Sequence, residues 1–127
     1  MYTADDFDAM MSKRSPAYKA AIEGSKSFVL SLYICWSGTD PEGGMSMAKQ
    51  LSAKHKNATI VAFNGRGHFD RNKDGKAVFM GIGKTPRVGS ETPKNDDGGA
   101  LVYFQNGKET KRIDSGWLVR QVINAGL

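Results

Sequence analysis

The feature that most constrains the fold is a pair of apolar, β-rich runs with a helical pattern between them. Residues 27–35, "SFVLSLYIC", and residues 58–64, "ATIVAFN", are continuous apolar stretches of strand length. Between them, Met47 and Leu51 recur at helical spacing and predict a helix over residues 44–56. A strand, a helix and a second strand in this order form a βαβ unit with parallel strands and a right-handed crossover. The continuous apolar character of the first run also predicts a strand that is buried on both faces.

A helix precedes this unit. Thr3 and Asp6 form a capping box that predicts a helix over residues 4–14, and residues 17–24 can hold a further turn. The helix has one apolar face, formed by Phe7, Met10 and Met11.

The C-terminal part predicts a hairpin and a helix. Two β-rich runs within residues 100–113 flank Asn106-Gly107, a pair that favours a two-residue type I′ turn. Asp114 or Ser115 can cap a last helix, whose apolar residues at helical spacing are Trp117, Leu118, Val122 and Ile123. We therefore predict that residues 1–127 form a single α/β domain. Its small mixed sheet has a parallel βαβ core at its centre, helices on its faces, and a C-terminal β-hairpin plus helix.

Residues 65–99 form a long glycine-rich excursion in which only "AVFMGI" resembles a strand. We expect a hairpin within it, and a further turn at residues 96–99, "DDGG". Asp70, Asn72 and Asp74 stand at the first three ligand positions of a calcium loop, but Gly81 replaces the acid expected at its end. A plain hairpin turn at residues 73–75 is therefore the preferred interpretation, and we predict no metal ion and no cofactor.

Composition and charge exclude several classes of function. The formal net charge is +5, but the basic residues are mixed with acids and glycines rather than aligned with aromatics, which argues against a nucleic-acid surface. No apolar run is long enough to span a membrane, and the N-terminal "ADDFD" is acidic, unlike a signal peptide. One cysteine cannot form an internal disulfide, as is usual in a reducing compartment.

Cys35 and His68 are the candidate chemical groups. Parallel strands end on one rim of a sheet, so Cys35 and the "NGRGH" segment that contains His68 are expected to open on the same edge. A cysteine nucleophile needs a base or a positive field to become a thiolate. The alternatives are a buried, inert Cys35 and a surface His68. His55, which lies between lysines, is expected to be solvated.

The segment around Cys35 resembles a known family. "SLYICWSGTDPEGGMSMAKQLSAKHKNATIVAFNG" is similar to caspase-like domains of bacterial polymorphic toxins, in which a strand runs into S-A-C-x-T-G and is followed by a helix and a second strand. Cys35 falls on the family's cysteine, and Gly38-Thr39 resemble the turn after it. The resemblance covers residues 3–65, with a weaker similarity at 98–113.

The resemblance implies a cysteine peptidase of a bacterial effector or toxin. Cys35 would attack a peptide carbonyl, with His68 or a histidine outside this chain as base. Backbone N–H groups of the Trp36, Ser37 and Gly38 loop would hold the oxyanion. The partner would be a peptide or protein substrate, or a cognate immunity protein. The location would be the bacterial cytoplasm, or outside the cell as part of a larger secreted effector.

The chain also departs from the family's pattern. The family takes its base from a His-Gly that precedes the first helix, and no such histidine precedes residue 4. Three explanations stay open: a missing upstream strand, a degenerate member, or His68 in the role of the base. The alternative function is a non-catalytic module of the same fold that binds a protein partner.

Overall fold

The computed structural model describes residues 3–83, 99–114 and 116–126. These residues form an α/β fold with two sheets, as the sequence predicts. The elements in chain order are α1 (Ala4–Arg14), α2 (Pro16–Glu23), β1 (Phe28–Leu32), α3 (Met47–Lys54), β2 (Ala58–Asn64), β3 (Arg66–Arg71), β4 (Ala77–Gly83), β5 (Ala100–Gln105), β6 (Lys108–Ile113) and α4 (Gly116–Gly126).

The main sheet has the strand order β1-β2-β5-β6. β1 and β2 are parallel, from the Phe28–Ala58 pair to the Leu32–Ala62 pair, and this confirms the predicted βαβ unit. The parallel pair lies at one end of the sheet, however, and not at its centre. β1 is an edge strand in which Val29 is 67% exposed, so the prediction that it is buried on both faces is wrong. β2, for which no such prediction was made, is the strand that is buried on both faces. Apolar content alone does not distinguish an edge strand from a central one.

β2 divides the interior into two cores, because its side chains alternate between the faces of the sheet. Ala58, Ile60 and Ala62 face a core that α1, α2 and α3 cover. Val61 and Phe63 face a second core, to which α4 and the small β3–β4 sheet contribute. Both cores are closed around β2, which explains the continuous apolar run at residues 58–63.

The first part of the predicted excursion is an ordered hairpin. β3 and β4 pair antiparallel from Arg66–Gly83 to Arg71–Ala77, although residues 66–71 carry no strand pattern in the sequence. The predicted turn at residues 73–75 is confirmed, since Asn72 Oδ1 accepts hydrogen bonds from the Asp74 and Lys76 amides. Residues 84–98, which include most of the predicted turn at 96–99, lie outside the described residues.

The second hairpin forms as predicted. Gln105 pairs with Lys108, and Asn106 (φ 51°) and Gly107 (φ 77°) form the two-residue loop. α4 follows, and Ser115 at its predicted cap lies outside the described residues.

The inward face of α4 differs from the set of apolar residues chosen from the sequence. Val119 and Ile123 are buried, whereas Trp117, Leu118 and Val122 are exposed. At 100° per residue, Val119 lies close to Ile123 around the helix, and the other three residues point elsewhere.

A polar cluster fastens α1 and α2 to the end of α3. Asp8 is buried and accepts a hydrogen bond from Tyr18 Oη at 2.6 Å. Its carboxylate also pairs with Lys54 Nζ at 2.6 Å and His55 Nε2 at 2.9 Å. The expectation that His55 is solvated is therefore wrong: its side chain is 11% exposed, because α1 packs over it. Burial opposes ionisation of Asp8, but the hydrogen bonds from Lys54 and Tyr18 and the nearby His55 outweigh it and lower the pKa of this carboxyl.

Candidate functional site

Ser37 ends the pairing of β1 with β2. Its hydroxyl donates to the Leu32 carbonyl at 3.0 Å and accepts from the Phe63 amide at 3.2 Å. The side chain thus stands between two backbone groups that would otherwise continue the parallel ladder. β1 consequently ends at Leu32, and Cys35 lies in the following turn rather than at the predicted end of the strand.

Two overlapping turns fix the loop that contains Cys35. The Ser37 amide donates to the Ile34 carbonyl at 3.2 Å, and the Thr39 amide donates to the Trp36 carbonyl at 3.1 Å. Trp36 adopts a positive φ of 61° inside the first turn. The loop is therefore folded tightly against the end of β2.

The backbone N–H groups of the predicted oxyanion loop donate to carbonyl groups of the fold. The Trp36 amide donates to Gly65 O at 2.7 Å, and the Gly38 amide donates to Phe63 O at 2.8 Å. The Ser37 amide is used in the turn described above. All three predicted donors thus hold the loop in place in this conformation.

Cys35 lies at the rim with its thiol accessible. The residue is exposed, and its Sγ lies 3.9 Å from the carbonyl oxygen of Gly67. The structure thus brings Cys35 next to the β3 residue that precedes His68, as expected for two segments on one rim.

His68 belongs to the β3–β4 hairpin. It pairs with Gly81 across the small sheet, and its Nε2 atom is shielded from solvent. A side chain at Gly67 would strike the Phe63 ring at 2.2 Å, so residue 67 faces that ring. His68, one residue further along the strand, faces the opposite side.

Cys35 lines an apolar groove of about 560 Å³ between α1, the loop after β1 and the start of α3. This volume is typical of ligand pockets. We call this cavity the Cys35 groove; its walls are Phe7, Met10, Ile34, Cys35, Trp36, Ser37, Thr39, Asp40, Pro41, Met45, Ser46, Met47 and Gln50. His68 is not among them.

Several exposed apolar side chains line the Cys35 groove. Ile34 is 53% exposed, Met45 45%, and Met10 and Trp36 37% each. Isolated exposed apolar residues are ordinary on a protein surface, but a contiguous patch in a concave site marks a binding surface. Methionine is flexible and polarisable, so the three methionines that line the groove, Met10, Met45 and Met47, can adapt to different apolar ligands. The sequence showed Met10 and Met47 only as helix-face residues and gave no reason to place them beside Cys35.

Asp40 fixes the outer wall of the groove to α3. Its carboxylate pairs with Lys49 Nζ at 2.5 Å and accepts from the Ser46 amide at 2.9 Å. The hydrogen bonds from Lys49 and Ser46 lower the pKa of Asp40. Ser46 in turn caps α3, since its hydroxyl accepts from the Lys49 amide at 3.1 Å.

A smaller, polar cavity of about 350 Å³ adjoins the groove at Thr39 and Asp40. Thr39 Oγ1 donates a hydrogen bond to Asn64 Oδ1 at 2.5 Å, and both residues line this cavity. Glu109 and Arg112, which also line it, form an ion pair at 2.6 Å. The apolar Cys35 groove and this polar cavity thus meet at Thr39 and Asp40.

The described walls of the Cys35 groove contain two side chains that ionise, Cys35 and Asp40. Asp40 is already paired, as described above. Over residues 3–83, 99–114 and 116–126, the acids, histidines and cysteine form no group of three that could hold a metal ion. None of the helices in these ranges has the length and apolar character needed to cross a membrane.

We compared the chain with protein-family models, with curated proteins and with solved structures, and none of the three comparisons gives a match.

Proposed function

We propose that this chain is a binding module that holds an apolar segment of a protein partner in the Cys35 groove. The observation that carries the proposal is the clustering of Met10, Ile34, Trp36 and Met45 as exposed apolar walls of one concave site. Burial of such surface is favourable by about 25 cal/mol per Å² of apolar area. The polar cavity that adjoins the groove at Thr39 and Asp40 can accept polar backbone groups next to the apolar side chain.

Binding without catalysis is favoured over hydrolysis by two features of the groove. No described wall residue other than Cys35 and the ion-paired Asp40 can exchange a proton with a substrate near neutral pH. The backbone N–H groups of residues 36–38 also donate within the fold rather than into the groove. Acyl transfer requires both a base and preorganised oxyanion donors.

Cys35 itself provides the test of binding, because it is the only cysteine and it lines the groove. The purified chain is incubated with disulfides of N-acylated cysteamine under partly reducing conditions, and the bound fraction is read by intact mass. The caps are isovaleryl, which is apolar, and hydroxyacetyl and acetyl, which are controls. We expect the isovaleryl probe to be captured at least about fivefold better than either control, since one buried CH₂ contributes about 0.8 kcal/mol.

A groove variant completes this test. Met45→Lys places a charge in the wall while Cys35 stays in place, and it should reduce capture of the isovaleryl probe to the level of the controls. Lys56→Met, on an exposed residue outside the groove, is the matched control and should change nothing. Equal capture of all caps by the unmodified chain would contradict the proposal.

The second candidate function is the cysteine peptidase that the resemblance to caspase-like toxin domains implies. It is favoured by one observation: the exposed Cys35 Sγ lies in the groove and 3.9 Å from the carbonyl of Gly67, the neighbour of His68. In that function Cys35 would be the nucleophile, and His68 or a histidine of another segment would be the base. A bacterial effector role, with a cognate immunity protein as a further partner, belongs to the same candidate.

Hydrolysis and thiol reactivity separate the two candidates. Peptide cleavage is measured for the chain, for Cys35→Ala and for His68→Ala, and the rate of Cys35 alkylation by iodoacetamide is followed against pH. The binding module predicts no cleavage and alkylation of Cys35 no faster than that of the thiol of N-acetylcysteine amide under the same conditions. Cleavage that both substitutions abolish would establish the peptidase instead.

A further inference from the structure

Trp36 adopts a backbone conformation that is unfavourable for its residue type. Its φ is 61°, and the only other described non-glycine residue with positive φ is Asn106. Asparagine enters this left-handed region readily, but for a bulky residue such a φ is a clear outlier. Strained residues of this kind persist where the surrounding structure holds them, and they cluster at functional sites.

The turn requires the backbone conformation but not the tryptophan. Trp36 is the third residue of the Ile34–Ser37 turn, the position at which a type II turn has positive φ and prefers glycine. A glycine there would keep the amide bond to Gly65 O and would remove the strain. This chain does place glycine at its other described positions of positive φ apart from Asn106: Gly43, Gly65, Gly75, Gly81 and Gly107. The turn therefore does not explain why residue 36 carries an indole ring.

The ring of Trp36 forms part of the Cys35 groove. The residue is 37% exposed and stands directly beside Cys35. Met10, Met45 and Met47 line the same groove. Aromatic rings favour other rings in offset or edge-to-face contact, and methionine sulfur also makes favourable contacts with aromatic rings.

We propose that Trp36 is the residue that sets the specificity of the groove, and that it selects an aromatic side chain of the bound polypeptide. The strained turn is retained because it presents the indole ring as a wall next to Cys35. This inference rests on the proposed binding function and adds the class of side chain that the groove accepts.

The test compares two cysteamine disulfides of similar size, one capped with phenylacetyl and one with cyclohexylacetyl, with the acetyl probe as baseline. The chain should capture the phenylacetyl probe about three- to tenfold better than the cyclohexylacetyl probe, the range expected for an aromatic contact beyond its area. Trp36→Gly should bring this ratio to about one, while its melting temperature stays at or above that of the unmodified chain. Because both probes react at the same thiol, their ratio is insensitive to any general change in the reactivity of Cys35.

Two further variants separate specificity from structure. Trp36→Phe keeps a ring and should retain most of the preference for phenylacetyl. Ile34→Ala removes apolar area from the same wall without a ring, and should weaken capture of both probes while it leaves their ratio unchanged.

Each remaining outcome decides the question. If Trp36→Gly is unfolded or melts at a lower temperature than the unmodified chain, the ring serves the stability of the fold. If the capture ratio of the two probes is unchanged in Trp36→Gly, the ring does not determine specificity. Either result overturns the inference. If the unmodified chain captures phenylacetyl and cyclohexylacetyl equally, but both far better than acetyl, the inference fails and the proposed function stands. If neither exceeds acetyl, the proposed function has failed.

Discussion

At the scale of single residues, Ser37 determines where β1 stops and where Cys35 lies. Its buried hydroxyl satisfies two backbone groups, the Leu32 carbonyl and the Phe63 amide. A hydroxyl can donate and accept through one oxygen atom, and serine is the smallest side chain that carries one. One serine therefore ends a strand and directs the next residues toward the groove.

Ser37→Ala should destabilise the chain by about 1–3 kcal/mol, because it leaves buried backbone groups without a partner. The free energy of unfolding from urea denaturation measures the loss. Ser31→Ala, on an exposed position of β1, is the matched control and should stay within about 0.5 kcal/mol. Equal effects of the two substitutions would contradict the bridging role of Ser37.

The contribution of Tyr18 to the stability of the fold depends on pH. Burial, followed by the hydrogen bond to Asp8 and the charge of Asp8, raises the pKa of Tyr18 well above its usual range. The unfolded chain ionises this tyrosine near its ordinary pKa of about 10, whereas the folded chain keeps it neutral. Its contribution to stability is therefore complete below about pH 10 and is lost as the pH rises further.

We expect the free energy of unfolding to fall between pH 9 and about pH 11, and to fall less in Tyr18→Phe. Urea denaturation at both pH values measures the two slopes. Tyr33→Phe serves as the control, because Tyr33 packs on Phe63 and lies outside the Asp8 cluster. If Tyr18→Phe and the unmodified chain lose the same stability, Tyr18 does not stay neutral in the fold.

At the scale of elements, the β5–β6 hairpin is set by its own sequence. Asn106 and Gly107 provide the two positive φ angles that a type I′ loop requires, and the turn twists as the strands do. Tertiary structure adds a hydrogen bond from the Gly107 amide to Ser52 Oγ at 3.0 Å, which joins the loop to α3.

Gly107→Val should destabilise the chain by about 1 kcal/mol or more, since a β-branched residue is strained at positive φ. Its Cβ would also lie 3.2 Å from the Ala53 Cβ. Thermal unfolding measures the change. Lys108→Val, at the adjacent exposed strand position, keeps the loop intact and should have little effect. An unchanged melting temperature for Gly107→Val would contradict the turn assignment.

At the scale of the whole molecule, Phe63 joins the main sheet to the β3–β4 sheet. Its ring stacks on Tyr33 at 5.5 Å and contacts Phe79 at 5.7 Å and Phe69 at 6.4 Å, measured between ring centroids. The close approach depends on Gly67, where any Cβ would overlap the ring. The same contacts hold β3 against the rim, and so hold Gly67 beside Cys35.

Phe63→Ala should destabilise the chain by about 3–5 kcal/mol, the usual cost of removing a buried phenylalanine. Phe69→Ala, on a ring that is 38% exposed, should cost clearly less. Chemical denaturation gives both values, and amide hydrogen exchange should show β3 and β4 opening before the main sheet in Phe63→Ala. A milder effect for Phe63→Ala than for Phe69→Ala would show that Phe63 does not join the two sheets.

The sequence by itself determined the features that depend on neighbours along the chain. The Thr3–Asp6 capping box, the parallel β1–β2 pair and the Asn106-Gly107 turn could all be predicted, because local geometry and hydrophobic period specify them. The accessible position of Cys35 could also be predicted, since an apolar run there gives way to a polar turn.

Only the tertiary structure decided which surfaces meet. Met10 and Met45 lie 35 positions apart in the sequence, and nothing local places them in one groove with Cys35. His55 is buried because α1 brings Asp8 over it. β1 is an edge strand because β5 adds to the sheet on the other side of β2. Residues 66–71 form a strand although their sequence has no strand pattern. Backbone pairing with β4 and packing of Phe69 against the Phe63 ring stabilise this strand. Contacts between distant segments depend on the packing of whole elements, and for that reason the candidate site became visible only in the folded molecule.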